Sequence, residues 1–595
     1  MPLRIAVLVK QIPVVEEMRL GRDGRLVRDT AHLEMSAYCR RAVSKAVELA
    51  QEAKDGHVTV VTVGPPSADE VLREGIAWGL DRGVAIDGLL VSDLALAGSD
   101  TIATARALAA ALATQKPFDL ILTGKNSLDA DTGQVPPQLA ELLDLPFAPG
   151  VKVLALKDGV LTLGCELDDA WTDLEVPLPA LLSCAERLCD PAKVKPDRRA
   201  EVPAELIHRL TAADLGEGPW GEAGSLTTVG EVRTMALSRL GQLNPDAPLG
   251  TQVKDAVQVL RDRGALHAGR PRERQALPAT GGPGPVVAVI AEVNEDALSL
   301  ELCGAAARIA DELGGSTVLL APPDVTAELA GSWGADRLVR IAGAEAAEDI
   351  AHAVAGWSVE VQPWALLAGS TAFGREVAAR VAAAVGAGLT GDAVELEVAD
   401  GRLVAWKPAF GGQLVAAVRA TSPIQAATVR AGVLSRPELR DQVAEVSVRT
   451  VEPRRRFRIL GRRQVDSLER LEEAEVIVGI GRGVAPDDLP HLQKLCQLLG
   501  AEIGCTRKIT DAGWLPHPRQ IGITGRSVSP RLYIAIGTSG KFNHMVGVRS
   551  AETVLSINPD PEAPVWAHTD VGIVGTWQDV LPLLVDELRC ALAEP

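Results

Sequence analysis

Near the carboxyl terminus, Val476-Ile-Val-Gly-Ile-Gly-Arg-Gly483 sets an apolar strand directly before alternating glycines, and a helix-like stretch through Leu489, Leu492, Leu495 and Leu499 follows. Glycine lets a backbone approach phosphate with no Cβ in the way, a helix start offers unpaired N–H groups, and Arg482 adds a fixed positive charge beside them. The spacing suits a pyrophosphate cradle in which Gly481, Arg482 and Gly483 make the contacts. A glycine-rich strand-to-helix turn that binds nothing has the same spacing, so the surrounding elements decide its meaning.

At 595 residues the chain exceeds one hydrophobic core, and typical domain sizes predict about three to five domains. With 47% apolar and 23% charged residues it has ample core-forming material. A formal charge of −18 argues against general nucleic-acid binding, which needs a basic face. Met1-Pro-Leu-Arg-Ile-Ala-Val-Leu-Val-Lys10 reads as a first strand rather than a leader peptide, and no apolar run is long enough to span a bilayer, so a membrane link is expected only through a partner. The eight cysteines are scattered without metal or redox spacing, and they read as buried thiols of a reducing cytoplasm.

An internal repeat organises the chain. Trp78-Gly-Leu-Asp-Arg82 recurs as Trp333-Gly-Ala-Asp-Arg337, each preceded by an apolar run ending in a proline pair, Val58 to Pro66 and Ser316 to Pro323. Upstream of each lies an opening strand, Ile5 to Val9 and Val286 to Ala291. Downstream, Phe118-Asp-Leu-Ile-Leu-Thr-Gly124 aligns with Pro363-Trp-Ala-Leu-Leu-Ala-Gly369. Continuous apolar strands alternating with amphipathic helices predict α/β domains with parallel sheets covered on both faces. Ligands of such sheets collect at the carboxyl ends of strands, here after Val9, Val63, Thr123 and Ala368. The expected boundaries are a first α/β domain over 1–190, an arm and linker over 191–283, a second α/β domain over 284–440, a hinge or connector over 441–473, and a final domain over 474–595. The run Arg454-Arg-Arg456 in the connector reads as an ion-paired or solvated segment, with a partner patch as the alternative.

Beyond the connector the sequence resembles the FAD-binding domain of the electron-transfer flavoprotein alpha subunit. The resemblance rests on Gly479-Ile-Gly-Arg-Gly483, Gly504-Cys-Thr-Arg-Lys508 with Asp511-Ala-Gly513, Gln520-Ile-Gly-Ile-Thr-Gly-Arg526, Tyr533-Ile-Ala-Ile-Gly-Thr-Ser-Gly540 with His544, Ile557-Asn-Pro-Asp-Pro-Glu-Ala-Pro564, and Asp570-Val-Gly-Ile-Val574. Residues from about 285 to 435, including Ser370-Thr-Ala-Phe-Gly-Arg375, resemble the same subunit's amino-terminal domain, and residues 1 to about 250 resemble the beta subunit. The resemblance thus implies a beta–alpha fusion: two homologous parallel-sheet α/β domains of the adenine-nucleotide-hydrolase type and a carboxyl-terminal Rossmann-like FAD-binding domain.

It also implies site residues. A reduced flavin gathers negative charge near N1 and O2, so nearby donors and cations raise its potential. By resemblance Arg507 lies against the isoalloxazine, His544 donates toward the N1/O2 edge and Thr524 toward N5. Thr506, Gly522 and Gly525 hold the ring and ribityl chain, Ser539 and Gly540 make a phosphate nest, Arg482 meets the pyrophosphate, and Asn558 and Asp570 hold the adenosine end. Ile523 stands where the family leads us to expect Gln and Pro559 where Lys is common, which removes donors near the flavin.

A second nucleotide is implied in the amino-terminal half, through Val9, Asn126, Asp129, Asp131, Thr132, Gln134 and Val135. Simple carriers of the family keep AMP there, and an electron-bifurcating subgroup keeps a second FAD. Asn126 to Pro137 and Ala97 to Thr104 resemble the second subgroup, while Ala130 and Pro136 replace its glycines, so AMP and FAD both stay open; Asp129 and Asp131 also suit a helix cap. The expected function is an electron carrier with no substrate pocket of its own. Its donor would be an acyl-CoA-dehydrogenase-like or specialised dehydrogenase, and its acceptor a membrane quinone oxidoreductase or another redox protein. A swing of the flavin domain on the segment from Val443 to Glu473 is expected to serve both. The alternatives are an NADH-oxidising bifurcating flavoprotein and a non-redox adenine-nucleotide sensor. Asp190-Pro-Ala-Lys-Val-Lys-Pro-Asp-Arg-Arg199 departs from the family's docking segment, which opens the choice of dehydrogenase.

Overall fold

The computed structural model describes residues 2–593 except 14–18, 21–25, 28–31, 54, 128, 168–169, 235–238, 267–275, 293–295, 410–413, 465–470, 472–473, 523–524, 527 and 549–550. It divides into two units: residues 1–233, 274–410 and 414–464 form the first, and residues 234–273, 411–413 and 465–595 the second.

The repeat in the sequence is a repeat of topology. In the first unit Arg4–Leu8 lies between His57–Val63 and Leu120–Gly124, with Ala85–Val91 outside the former and Ala180–Cys184 outside the latter, all parallel. A second sheet of the same unit repeats this order, with Val286–Ile290 between Ser316–Ala321 and Ala365–Gly369, flanked by Arg337–Ala342 and Gln425–Val429. Strands such as Ser316–Ala321 and Ala365–Gly369 are buried at every position, as expected of sheets sandwiched between helices.

The two halves of this unit are joined by buried charge. Arg380, on the helix Ala372–Val385, is fully buried and reaches Glu376 at 3.1 Å, Glu141 of the other half at 3.2 Å and Glu348 at 4.0 Å. From the connector, Arg456 pairs with Glu348 at 2.5 Å and Asp144 at 3.2 Å, while Arg454 pairs with Asp144 at 2.6 Å and donates its backbone N–H to Asp349. The arginine run is therefore an intramolecular clamp. Burial pushes the Glu376 carboxyl up to about 7, with Glu348 and Glu141 adding to the push and Arg380 opposing it.

Both connectors are tied down more than their composition suggests. Within 441–473, Glu445–Thr450 adds in parallel to Arg337–Ala342, and Arg458–Gln464 adds antiparallel to Ala170–Pro177. A free hinge thus cannot run the whole way from Val443 to Glu473; backbone hydrogen bonds hold it as far as Gln464. Within 191–283, Ile207–Leu210 extends the first sheet, whereas Gln242–Leu243 and the helix Leu249–Asp262 belong to the second unit.

The second unit is a parallel sheet in the order Gln242–Leu243, Val571–Val574, Thr553–Asn558, Leu532–Ile536, Val476–Ile480, Glu502–Cys505. The arm closes an edge that would otherwise present unpaired backbone groups. Its helix buries Val253, Val257 and Leu260 in the same core as Leu581, Leu584 and Leu588 of the helix Trp577–Ala593. Among the described residues no helix is long and apolar enough to cross a membrane.

Candidate functional site

In the second unit the strand order reverses beside Val476–Ile480, so the crevice at the carboxyl ends of this strand and Leu532–Ile536 is where a ligand of such a sheet binds. Gly481 to Gly483 and Gly537 to Gly540 meet there. Gly481 donates its N–H to Ile536 O at 3.0 Å, and a Cβ on Gly481 would stand 2.3 Å from Gly537 O. The glycines therefore let two loops touch each other, a requirement that precedes any contact with phosphate. Gly540 takes the left-handed conformation, with φ 75°. Beside it Thr538 is 2% exposed, and its hydroxyl finds no hydrogen-bond partner among the described residues. An orphaned hydroxyl next to exposed Ser539, in the loop that abuts Gly481, fits an acceptor-rich group such as a pyrophosphate.

The other expected contacts vary in how they fit. Thr506 precedes the short helix Arg507–Asp511 at the same end of the sheet, and the Arg507 side chain is 55% exposed and pairs with Asp511. Gly522 and Gly525 close a turn in which Gly525 donates to Gly522 O at 3.0 Å. Thr524 and Ile523 lie outside the described residues. Asn558 ends its strand at the crevice, where its amide donates to Thr538 O at 2.8 Å and its oxygen accepts from the Asp560 N–H.

Asp570 is elsewhere. It precedes Val571–Val574, at the amino ends of parallel strands and so opposite the crevice. It is fully buried and accepts from the Val554 N–H at 2.8 Å and from Arg239 at 2.9 Å. Asp570 therefore anchors the arm rather than the adenosine end of a ligand.

His544 also departs from expectation. It is buried, with Nδ1 3.0 Å from Ile521 O and Nε2 2.8 Å from the Tyr533 hydroxyl. Burial lowers its pKa to about 4, against the Ile521 carbonyl, which raises it. Both ring nitrogens are thus engaged within the protein, and a bond from this ring to a flavin edge would require one of them to be given up.

The second candidate site lies at the corresponding place in the first sheet. Val9 follows Arg4–Leu8, and the loop from Asn126 to Val135 follows Leu120–Gly124. Asp131 and Gly133 are both left-handed there, with φ 45° and 63°. Asp129 is buried against Lys10 at 2.9 Å, and Asp131 accepts from the Asn126 amide. Neither carboxylate caps the helix Val135–Leu142, whose N-cap is Gln134 with no side-chain cap bond. Gln134 accepts from the Thr101 hydroxyl at 2.8 Å, and its buried Nε2 is left without a partner among the described residues, as is Oδ1 of Asn126.

Sequence reasoning missed what faces this loop. A Cβ on Gly391 would stand 2.7 Å from Gln134 Nε2, so the strand Gly388–Ala393 of the other half abuts it. Nearby are Lys407, 9% exposed, whose ammonium has no hydrogen-bond partner among the described residues, and Arg375, whose buried Nε has none either. Burial lowers the Lys407 pKa, with Asp392 and Asp131 opposing. Burial opposes the charge on Asp392 too, but Arg430 and Arg375 outweigh it and hold this carboxyl below its ordinary range. The available signal was a lysine inside the otherwise apolar strand Leu403-Val-Ala-Trp-Lys407. Three unpaired donors and one unpaired acceptor gathered around a strand-end loop fit a ligand with several polar atoms.

Comparison with known proteins identifies the domains that carry these sites. The model of the electron transfer flavoprotein domain matches residues 23–206 and again 287–454, and that of the electron transfer flavoprotein FAD-binding domain matches residues 470–549. Among curated proteins, the electron transfer flavoprotein subunit alpha of Thermoanaerobacterium thermosaccharolyticum is 36% identical over 41% of this chain and 76% of its own length. Protein FixB of Clostridium saccharobutylicum is 34% identical over 51% of this chain and 95% of its own. The subunit LctC of the lactate dehydrogenase (NAD(+),ferredoxin) of Acetobacterium woodii is 36% identical over 40% of this chain and 59% of its own. Two copies of one domain followed by the FAD-binding domain, in a single polypeptide, place the chain in the electron transfer flavoprotein family.

Proposed function

We propose that this protein is an electron carrier whose FAD, held by the second unit, passes electrons between a dehydrogenase and a second redox protein, such as a quinone oxidoreductase, in the cytoplasm. The observation that carries this reading is the crevice between Gly481 and Gly540, with its unpartnered Thr538 hydroxyl, inside a segment that matches the FAD-binding domain. FAD, when bound, supplies one- and two-electron chemistry. The chain supplies the cradle, the exposed Arg482 and Arg507 beside it, and a buried neutral imidazole behind it.

A second reading has its own support. The donors on Lys407, Arg375 and Gln134 extend the amino-terminal site across the junction of the two halves, further than a nucleotide held by the 126–135 loop alone would use. This favours a larger occupant than AMP, a second FAD, and with it NADH oxidation with the electron pair divided between two acceptors. Cofactors released from the purified protein, followed by anaerobic addition of NADH, separate the readings. One FAD with AMP and no response to NADH supports the simple carrier. Two FADs with rapid bleaching support the bifurcating form, and a colourless protein that cannot be reconstituted overturns both in favour of a nucleotide sensor.

A further inference from the structure

Gly479, the first glycine of the strand-end motif, lies inside the strand Val476–Ile480 rather than in the loop that follows it. A Cβ there would stand 1.6 Å from the Tyr533 hydroxyl, in the neighbouring strand, where Gly479 pairs with Ala535. The glycine makes room for that hydroxyl. Tyr533 is fully buried, and its Oη lies 2.8 Å from His544 Nε2.

The other side of the ring fixes the protons. A backbone carbonyl only accepts, so His544 Nδ1, 3.0 Å from Ile521 O, carries the hydrogen. In a neutral ring Nε2 is then a bare lone pair, and the Tyr533 hydroxyl donates to it. Burial, which lowers the pKa of His544 to about 4, keeps the ring neutral. Gly479, Tyr533, His544 and Ile521 thereby link the three stretches that the family resemblance brings around the flavin: 479–483, 520–526 and 533–544.

We infer that Tyr533 is a positioning residue of the flavin site, donating to Nε2 and so holding His544 as the neutral Nδ1–H tautomer. The inference rests on the FAD reading for its functional meaning. An imidazolium behind the crevice would stabilise negative charge on the flavin and raise its potential. The neutral tautomer withholds that charge. Without the tyrosine hydroxyl the lone pair is buried and unsatisfied, which favours proton capture or rotation of the ring.

The test uses full-length protein labelled with nitrogen-15 histidine, with His544→Gln to assign the signal. Imidazole spectra are recorded from about pH 5 to about pH 8, with and without FAD. Wild-type His544 is expected to carry its proton on Nδ1 and to stay neutral throughout. In Tyr533→Phe the ring stays buried but Nε2 loses its donor, so the titration midpoint should rise above the wild-type value or the tautomers should mix, and any step in the flavin potential should fall at the same midpoint. A wild-type ring protonated on Nε2, or titrating like an exposed histidine, overturns the inference, and so does a Tyr533→Phe protein with unchanged tautomer and titration. Should that variant fail to fold, the wild-type spectra decide alone. Spectra as expected in a protein that binds no FAD would overturn the carrier reading and leave the tautomer assignment standing.

Discussion

The two candidate nucleotide sites occupy equivalent places in their sheets, yet their polar atoms are in opposite states. Around the second unit's crevice the less exposed side chains are satisfied within the protein, His544 by Tyr533 and Ile521 and Asn558 by Thr538 and Asp560, with the buried Thr538 hydroxyl left over among the described residues. At the amino-terminal site buried atoms of Asn126, Gln134, Arg375 and Lys407 find no partner among the described residues. The first arrangement is a scaffold that shapes a cradle from backbone and leaves the ligand little to complete. The second is two half-sites pressed together by ion pairs, with donors left over for a ligand to satisfy.

The comparison is broken most severely at Arg380, which holds the halves of the first unit together. Arg380→Met leaves Glu376 buried without its cation and Glu141 without its partner across the halves, while Glu348 keeps Arg456; it should destabilise the first unit by about 3–5 kcal/mol in denaturant melts, with FAD retention in the second unit spared.

Acidity should then sharpen it, because the two units respond with opposite sign. Glu376 is raised from 4.5 to about 7, so the stability associated with its protonated form is complete below pH 4.5 and lost as pH rises through 7. His544 is lowered from 6.5 to about 4, so its contribution is complete above pH 6.5 and lost as pH falls toward 4. Each swing is on the order of 3 kcal/mol. Melts followed by tryptophan emission, to which the first unit contributes seven of the ten tryptophans, and by flavin release from the second should show the first weakening and the second strengthening as pH rises between these limits. Glu376→Gln should flatten only the former.

A smaller effect separates anchoring from ligand contact in the second unit. Asp570→Asn weakens the pairing with Arg239 and should lower that unit's stability by roughly 2 kcal/mol. Once this is allowed for, FAD affinity should be unchanged; an affinity loss larger than the stability loss would return Asp570 to the ligand. The mildest change is Lys407→Met, which removes a buried charge. It should leave stability unchanged or raised and lower the affinity for the second nucleotide about tenfold, which corresponds to 1.4 kcal/mol. Titration of nucleotide-free protein, with FAD occupancy of the second unit as the internal control, reads this directly.

Much of the fold was legible because it is written in local patterns. The Trp-Gly-x-Asp-Arg repeat and the apolar strands announced two equivalent sheets, and glycines next to strand ends announced the crevice. Less legible was anything set by partners distant in sequence. Asp570 looked like part of a ligand motif because the sequence does not say which end of the sheet it occupies, and parallel topology puts it at the wrong end. His544 looked like a donor because Tyr533, which takes up its Nε2, is identified only by packing across the glycine at 479. Lys407 lies more than 270 residues beyond the loop it faces, and no local pattern joins them.

The arm that completes the second unit also sets an order in time. Arg239 and its partner Asp570 are 331 residues apart. At the usual pace of synthesis the arm emerges roughly 20–60 s before the strand it must edge and the aspartate it must neutralise. During that interval the helix Leu249–Asp262 has an apolar face and no sheet to cover it, while the second sheet of the first unit, from Val286–Ile290 to Glu445–Thr450, is synthesised and can be completed. The last unit to fold is thus seeded by a segment made early, and a nascent chain stalled before Val571 would carry that apolar helix exposed to chaperones and to neighbouring chains.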